Sequence, residues 1–165
     1  MSRQQIININ INTMEKVNLI SIAEVRLTYK SKVKPSDRPK VASSEQAFRL
    51  FLDYWDDSIT HIESMKVMLL NRASRVLGIA DLSTGGTNGC LVDVKVVFQY
   101  AIKANASSII LAHNHPSGNI KPSQADINIT KKVSDGANIL DIQILDHIIL
   151  TPEEKYYSMA DEGFL

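Results

Sequence analysis

The chain reads as an α/β protein of the mixed α+β type, a mixed β-sheet flanked by helices. Three observations predict this. Apolar runs of strand length alternate along the chain with amphipathic stretches of helical period. Capping residues open the helical stretches, and small or polar residues close them. The 165 residues, 44% of them hydrophobic, suffice for one buried core without a second domain. The predicted order is strand, helix, strand pair, helix, strand, helix, strand.

The elements follow in turn. Ile6 to Asn12 alternates Ile with Asn, a strand signal that is also uncharged and β-prone. It reads either as a strand covered by another surface, a second copy of the chain among the candidates, or as a poorly ordered terminus. Glu24 to Lys34 alternates again, Val25, Leu27 and Tyr29 against Arg26, Thr28 and Lys30, and predicts a half-buried strand. Its lysines fit a solvated edge better than a row of phosphate contacts. Pro35 to Pro39 is a loop. Ser43 and Gln46 have capping-box spacing, and the helix they open carries Ala47, Phe48, Leu50, Phe51, Tyr54 and Trp55 as its core stripe, ending near Asp57. Glu63 to Asn71 predicts a central strand, Asn71 to Ser74 a turn, and Arg75 to Leu82 the return strand. Ser83 to Gly89 is a loop of small residues, expected near the site or mobile. Asp93 caps a helix that stops near Asn105. A buried strand follows up to His115. The helix opened by Ser123 is expected to reach Ser134 or Gly136. Ile139 to Leu150 supplies one or two apolar strands, and Thr151 begins a short terminal segment.

Composition narrows the function. The formal net charge is zero, so no overall field draws the chain to nucleic acid or to an anionic membrane. No apolar run approaches the roughly 18 residues that a transmembrane helix needs, and the first residues do not resemble a signal peptide. A single cysteine, Cys90, excludes an internal disulfide and a multi-cysteine zinc cage. The simplest location is a reducing, cytoplasmic one.

The chemistry concentrates between Ser107 and Asp126. His113 and His115 lie two apart on an extended segment and therefore share a side. Pro116 and Gly118 turn the chain directly after them. Asp126 falls in the first turn of the following helix. Two imidazoles and a carboxylate make three ligands with a fourth position open, the pattern of a catalytic zinc. Such an ion would activate water, with a nearby carboxylate moving the proton and a hydroxyl or N–H steadying the oxyanion. Plainer readings exist. Two histidines at a strand end also serve as loop donors, and Ser-x-x-Asp after a proline is an ordinary helix start. His147, alone in an apolar strand, reads as a core histidine with a satisfied hydrogen bond; supporting a ligand from behind is the other reading. Cys90 is a lone loop cysteine, and ligation by it is not expected.

The order His-x-His-x7-Ser-x2-Asp resembles the JAMM motif of JAB/MPN metalloproteins. The longer string His113-Asn114-His115-Pro116-Ser117-Gly118, then Pro122-Ser123 and Asp126, resembles the JAB domain of the bacterial RadC family. The likeness runs from about Val25 to Leu165. It implies a JAB/MPN-like sheet with cytidine-deaminase-like layering, a domain at 24–165 and an N-terminal extension at 1–23. It also implies one zinc ion on His113, His115 and Asp126, with Ser123 stabilising the tetrahedral intermediate. Glu63 is implied as general base; Glu24 and Glu45 are weaker rivals.

The expected function is a zinc metallohydrolase acting on a peptide or isopeptide bond. Two alternatives stand beside it: a DNA-repair accessory or nuclease, and a non-catalytic scaffold. Many members of the family resemble a two-part chain with a helix-hairpin-helix module, and only about two dozen residues precede the JAB-like region here. With the neutral charge, this weakens the DNA reading. The intact motif weakens the scaffold reading. No membrane partner is expected. The Ile/Asn strand suggests a homodimer.

Overall fold

Strand β3, Ser108–Asn114, is the structural centre of the chain. In the computed structural model, which describes residues 28–85 and 92–165, the sheet order is β2-β1-β3-β4-β5. Strand β1 is Ser64–Leu70, β2 Val76–Thr84, β4 Gln143–Leu150 and β5 Tyr156–Ser158. The β1/β2, β1/β3 and β4/β5 pairs are antiparallel, while β3 and β4 are parallel. A parallel pair needs a long crossover, and helix α3, Gln124–Ile139, supplies it. This is the mixed sheet of an α/β fold, consistent with the JAB/MPN expectation.

Pleating divides the apolar residues into two cores. Met65, Val67 and Leu69 of β1 and Ile109 and Leu111 of β3 pack against α3 and against α2, Val94–Lys103. Met68, Leu70, Ile110, Ala112, Ile148 and Leu150 pack against Phe48, Phe51 and Trp55 on and beside α1, Ser44–Tyr54. Because helices cover both faces, every residue of β1 and β3 is buried, and neither strand shows the polar alternation of a half-exposed one.

Most local signals act as expected. The Ser43 side chain accepts from Gln46 N, and Asp93 accepts from Lys95 N. The Asn71 side chain accepts from the N–H groups of Ala73 and Arg75 and closes the β1–β2 turn. Asn105 adopts φ 52° after α2, a left-handed helix stop. Helix α3 runs through Gly136, past the expected end. A Cβ at Gly136 would lie 2.7 Å from Cε2 of Phe98, so the missing side chain lets α3 approach α2. Ile139 accordingly ends α3, and between it and Leu150 there is one strand, β4.

One expectation fails in the part that is described. Residues 28–34 of the predicted Glu24–Lys34 strand form no strand. Alternating polarity does not make a strand without a backbone to pair with. The Ile6–Asn12 segment, Glu24, Cys90 and the boundary at residue 23 lie outside the described residues.

Candidate metal centre

The site forms at the carboxyl ends of β3 and β4, where α3 begins. The His115 N–H donates to Leu150 O at 2.8 Å, which carries the β3–β4 pairing one residue beyond the strand. The extended backbone keeps His113 and His115 on one face, with ring centroids 4.7 Å apart. The chain then turns at Gly118, φ 80°, a conformation that favours glycine. This turn sets Asn119 O 2.6 Å from Nδ1 of His115. A carbonyl only accepts, so His115 carries a proton on Nδ1, and its Nε2 faces His113.

Asp126 closes the triad. Nε2 of His113 lies 2.9 Å from Nε2 of His115 and 3.2 Å from Oδ1 of Asp126, and Oδ2 of Asp126 lies 3.8 Å from Nε2 of His115. Among the described residues these three form the group able to hold a metal ion, their ligand atoms all within 4.8 Å of one another. A tetrahedral zinc with bonds of roughly 2.0–2.1 Å holds its ligands about 3.3 Å apart, and the observed separations bracket that value. The donor set, two imidazoles and one carboxylate, also fits three of the four positions of a tetrahedral zinc.

Helix capping orients the carboxylate. The N–H and the hydroxyl of Ser123 donate to Oδ2 of Asp126 at 2.7 and 2.6 Å, and Ser123 Oγ accepts from Asp126 N at 3.3 Å. The plain reading, a capping box, is thus realised, and it aims the other carboxylate oxygen at His113. Burial opposes ionisation of Asp126, but His113 in its charged form and the two donors of Ser123 prevail and hold its carboxyl well below the usual range. The carboxylate is therefore ready for a cation.

Glu63 stands just before β1 and is half-buried. It lies two residues before Met65, whose register partner is His113, and its carbonyl accepts from Gly85 N at 2.8 Å. It is outside the three-residue cluster. Its backbone is fixed by Asn114, a role that the sequence did not reveal. The Asn114 side chain is fully buried; its Oδ1 accepts from Ser64 N and Ser64 Oγ at 2.8 and 3.3 Å, and its Nδ2 donates to Ile59 O and Ile62 O, each at 2.9 Å. Asn114 thus holds the peptide groups on both sides of Glu63 from a position between the two histidines. Strand alternation gave the one available signal, since Asn114 must face away from its neighbours. Glu45 lies in the first turn of α1, on the opposite face of the sheet.

His147 is fully buried and lies behind the triad. Its Nε2 is 2.9 Å from Nδ1 of His113, and its Nδ1 is 2.5 Å from Oγ1 of Thr130. Burial first, then the neighbouring His113, pushes its pKa well below the ordinary histidine value. It is a neutral core histidine, and it contacts a member of the triad. Thr130 also escaped the sequence reading, although it sits one helical turn after Asp126 and so shares its face.

Fold and site together define an α/β domain with a candidate His/His/Asp metal centre. Comparison with known proteins then identifies the family. A family model described as a RadC-like JAB domain matches residues 41–164, and the chain belongs to that family. Curated relatives bear the name UPF0758 protein. One from Flavobacterium johnsoniae is 46% identical over 124 residues, covering 75% of this chain and 53% of the relative. One from Porphyromonas gingivalis is 38% identical over 128 residues, 78% of this chain and 56% of the relative. One from Clostridium botulinum is 33% identical over 153 residues, 93% of this chain and 65% of the relative. The chain thus spans between about half and two thirds of the length of these relatives.

Proposed function

We propose that the chain is a zinc-dependent hydrolase of the JAMM type that cleaves a peptide or isopeptide bond. One observation carries the reading: Nε2 of His113, Nε2 of His115 and the carboxylate of Asp126 converge on a single point. Three electron-rich atoms brought together in this way repel one another unless a proton or a metal ion lies between them. A zinc ion held there would supply Lewis acidity, acidifying a water and polarising a scissile carbonyl.

The chain's own residues supply the rest. Glu63 takes the proton of the attacking water and returns it to the leaving amine. Asn114 keeps the Glu63 backbone fixed while this happens. The hydroxyl of Ser123 steadies the developing oxyanion, and to do so it turns away from Oδ2 of Asp126. Among the described residues no helix is long and apolar enough to cross a membrane, and the single cysteine fits work in a reducing cytoplasm. The zero formal charge gives no support to a DNA-processing role.

Metal analysis of freshly purified protein tests the centre, with one zinc per chain expected. Glu63→Gln is expected to keep that zinc and lose turnover when peptide and isopeptide substrates are screened against the wild type. Full turnover by Glu63→Gln on a substrate that the wild type cleaves would remove Glu63 as the base. Zinc-free wild-type protein that also takes up none on addition would remove the hydrolase.

A further inference from the structure

The hydrogen bonds behind His113 run in one direction only. Thr130 Oγ1 lies 2.6 Å from the backbone carbonyl of Asp126 and 2.5 Å from Nδ1 of His147. A threonine hydroxyl has one proton to donate, and a carbonyl can only accept. If that proton went to His147, or to Sδ of Met159 at 3.4 Å, the hydroxyl oxygen and the carbonyl would face each other as two acceptors at 2.6 Å. It therefore goes to the Asp126 carbonyl. Thr130 Oγ1 must then accept from Nδ1–H of His147. His147 is fully buried and bonds to no carboxylate, so the cost of burying a charge keeps its ring neutral; Nε2 is then bare and accepts from Nδ1–H of His113 at 2.9 Å. With the proton on Nδ1, the Nε2 of His113 that faces Asp126 and His115 is left bare.

We propose that Thr130 and His147 are positioning residues that lock His113 in the Nδ1–H tautomer and so prepare Nε2 to bind the ion. The inference rests on the metal-site reading above and adds what sets the site's chemistry. The chain of bonds starts at one ligand, His113, and ends on the backbone of another, Asp126. The first turn of α3 therefore contributes twice, a carboxylate at the front of the ion and a carbonyl that dictates the proton at the back. A tautomer chosen in advance spares the site a proton rearrangement during binding.

Nitrogen-15 NMR of the histidine rings at about pH 8.5, above the ordinary histidine range, reads the tautomers directly in metal-free and zinc-loaded wild-type protein. In both states His147 is expected as the Nδ1–H form, with an unprotonated Nε2. Thr130→Val keeps the shape of the side chain but removes the hydroxyl that bonds His147 and the Asp126 carbonyl; it is expected to scramble the His147 tautomer and weaken zinc about 10- to 100-fold, while Thr130→Ser restores tautomer and affinity. His147 found as the Nε2–H form in wild type, or a folded Thr130→Val with unchanged tautomer and zinc affinity, would overturn the inference and leave the metal site standing. Wild-type protein that binds no zinc would overturn the metal reading, whatever the tautomers are. If Thr130→Val fails to fold, the wild-type spectrum still decides.

Discussion

At the scale of single residues, Asn114 shows how much can rest on one side chain. Its amide has two donors and one acceptor group, and all are engaged, although it is fully buried. Truncation would leave Ser64 N–H and the carbonyls of Ile59 and Ile62 without this partner. A buried polar group left unsatisfied costs about 1–3 kcal/mol. Asn114→Ala is therefore expected to lose on the order of 3 kcal/mol, measured by urea unfolding. Because Asn114 faces away from the triad, the folded fraction is expected to keep its zinc and to lose turnover through Glu63. None of this was legible in the sequence. The His-Asn-His string shows three neighbours, but the partners of Asn114 lie 50 to 55 residues earlier. His147 was singled out as a core histidine or a support for a ligand, but the ring that it touches, 34 residues earlier, was not legible.

At the scale of elements, the start of α3 joins folding to chemistry. Ser123 caps the helix and orients Asp126 with the same two groups. Ser123→Ala is expected to cost about 1 kcal/mol through the lost cap. It is also expected to weaken zinc, at the low end of the 10- to 100-fold range for a lost partner of a ligand, because the backbone N–H of residue 123 still holds Oδ2. Denaturation and a competitive zinc titration measure the two effects separately. Helices such as α3 were legible because their signals are local: Ser43, Asp93 and Ser123 each cap the helix that they predict. The Lys-rich segment before Pro35 was misread for the opposite reason. Its polarity alternates, but strand formation depends on a distant neighbour that local sequence does not specify.

At the scale of the whole molecule, the metal centre joins the end of β3 to the start of α3 and so links the sheet to the helical layer. An ion that binds only the folded chain stabilises it by mass action. At a zinc concentration 100 times Kd the gain is about 2.7 kcal/mol. For a chain of this size each kcal/mol moves Tm by roughly 2–4 °C, so a rise of about 5–10 °C is expected. A melting scan with and without a chelator measures it, and Asp126→Asn is expected to abolish the rise. The fold class and the three residues of the candidate centre were legible because element order and motif spacing carry them, whereas the division of helices between the two faces emerges only on packing. The alternation along β3 has one more consequence. His113 faces the ion, Asn114 faces the buried loop before β1, and each surrounding accepts only its own side chain. Sliding this strand by a single position would push an imidazole into the oily α1 side and an amide towards the ion. The strand thus carries its own proofreading: a misregistered copy forfeits both anchors at once, so a one-residue deletion inside Ser108–Asn114 should be far less forgivable than one among the loop residues 117–121.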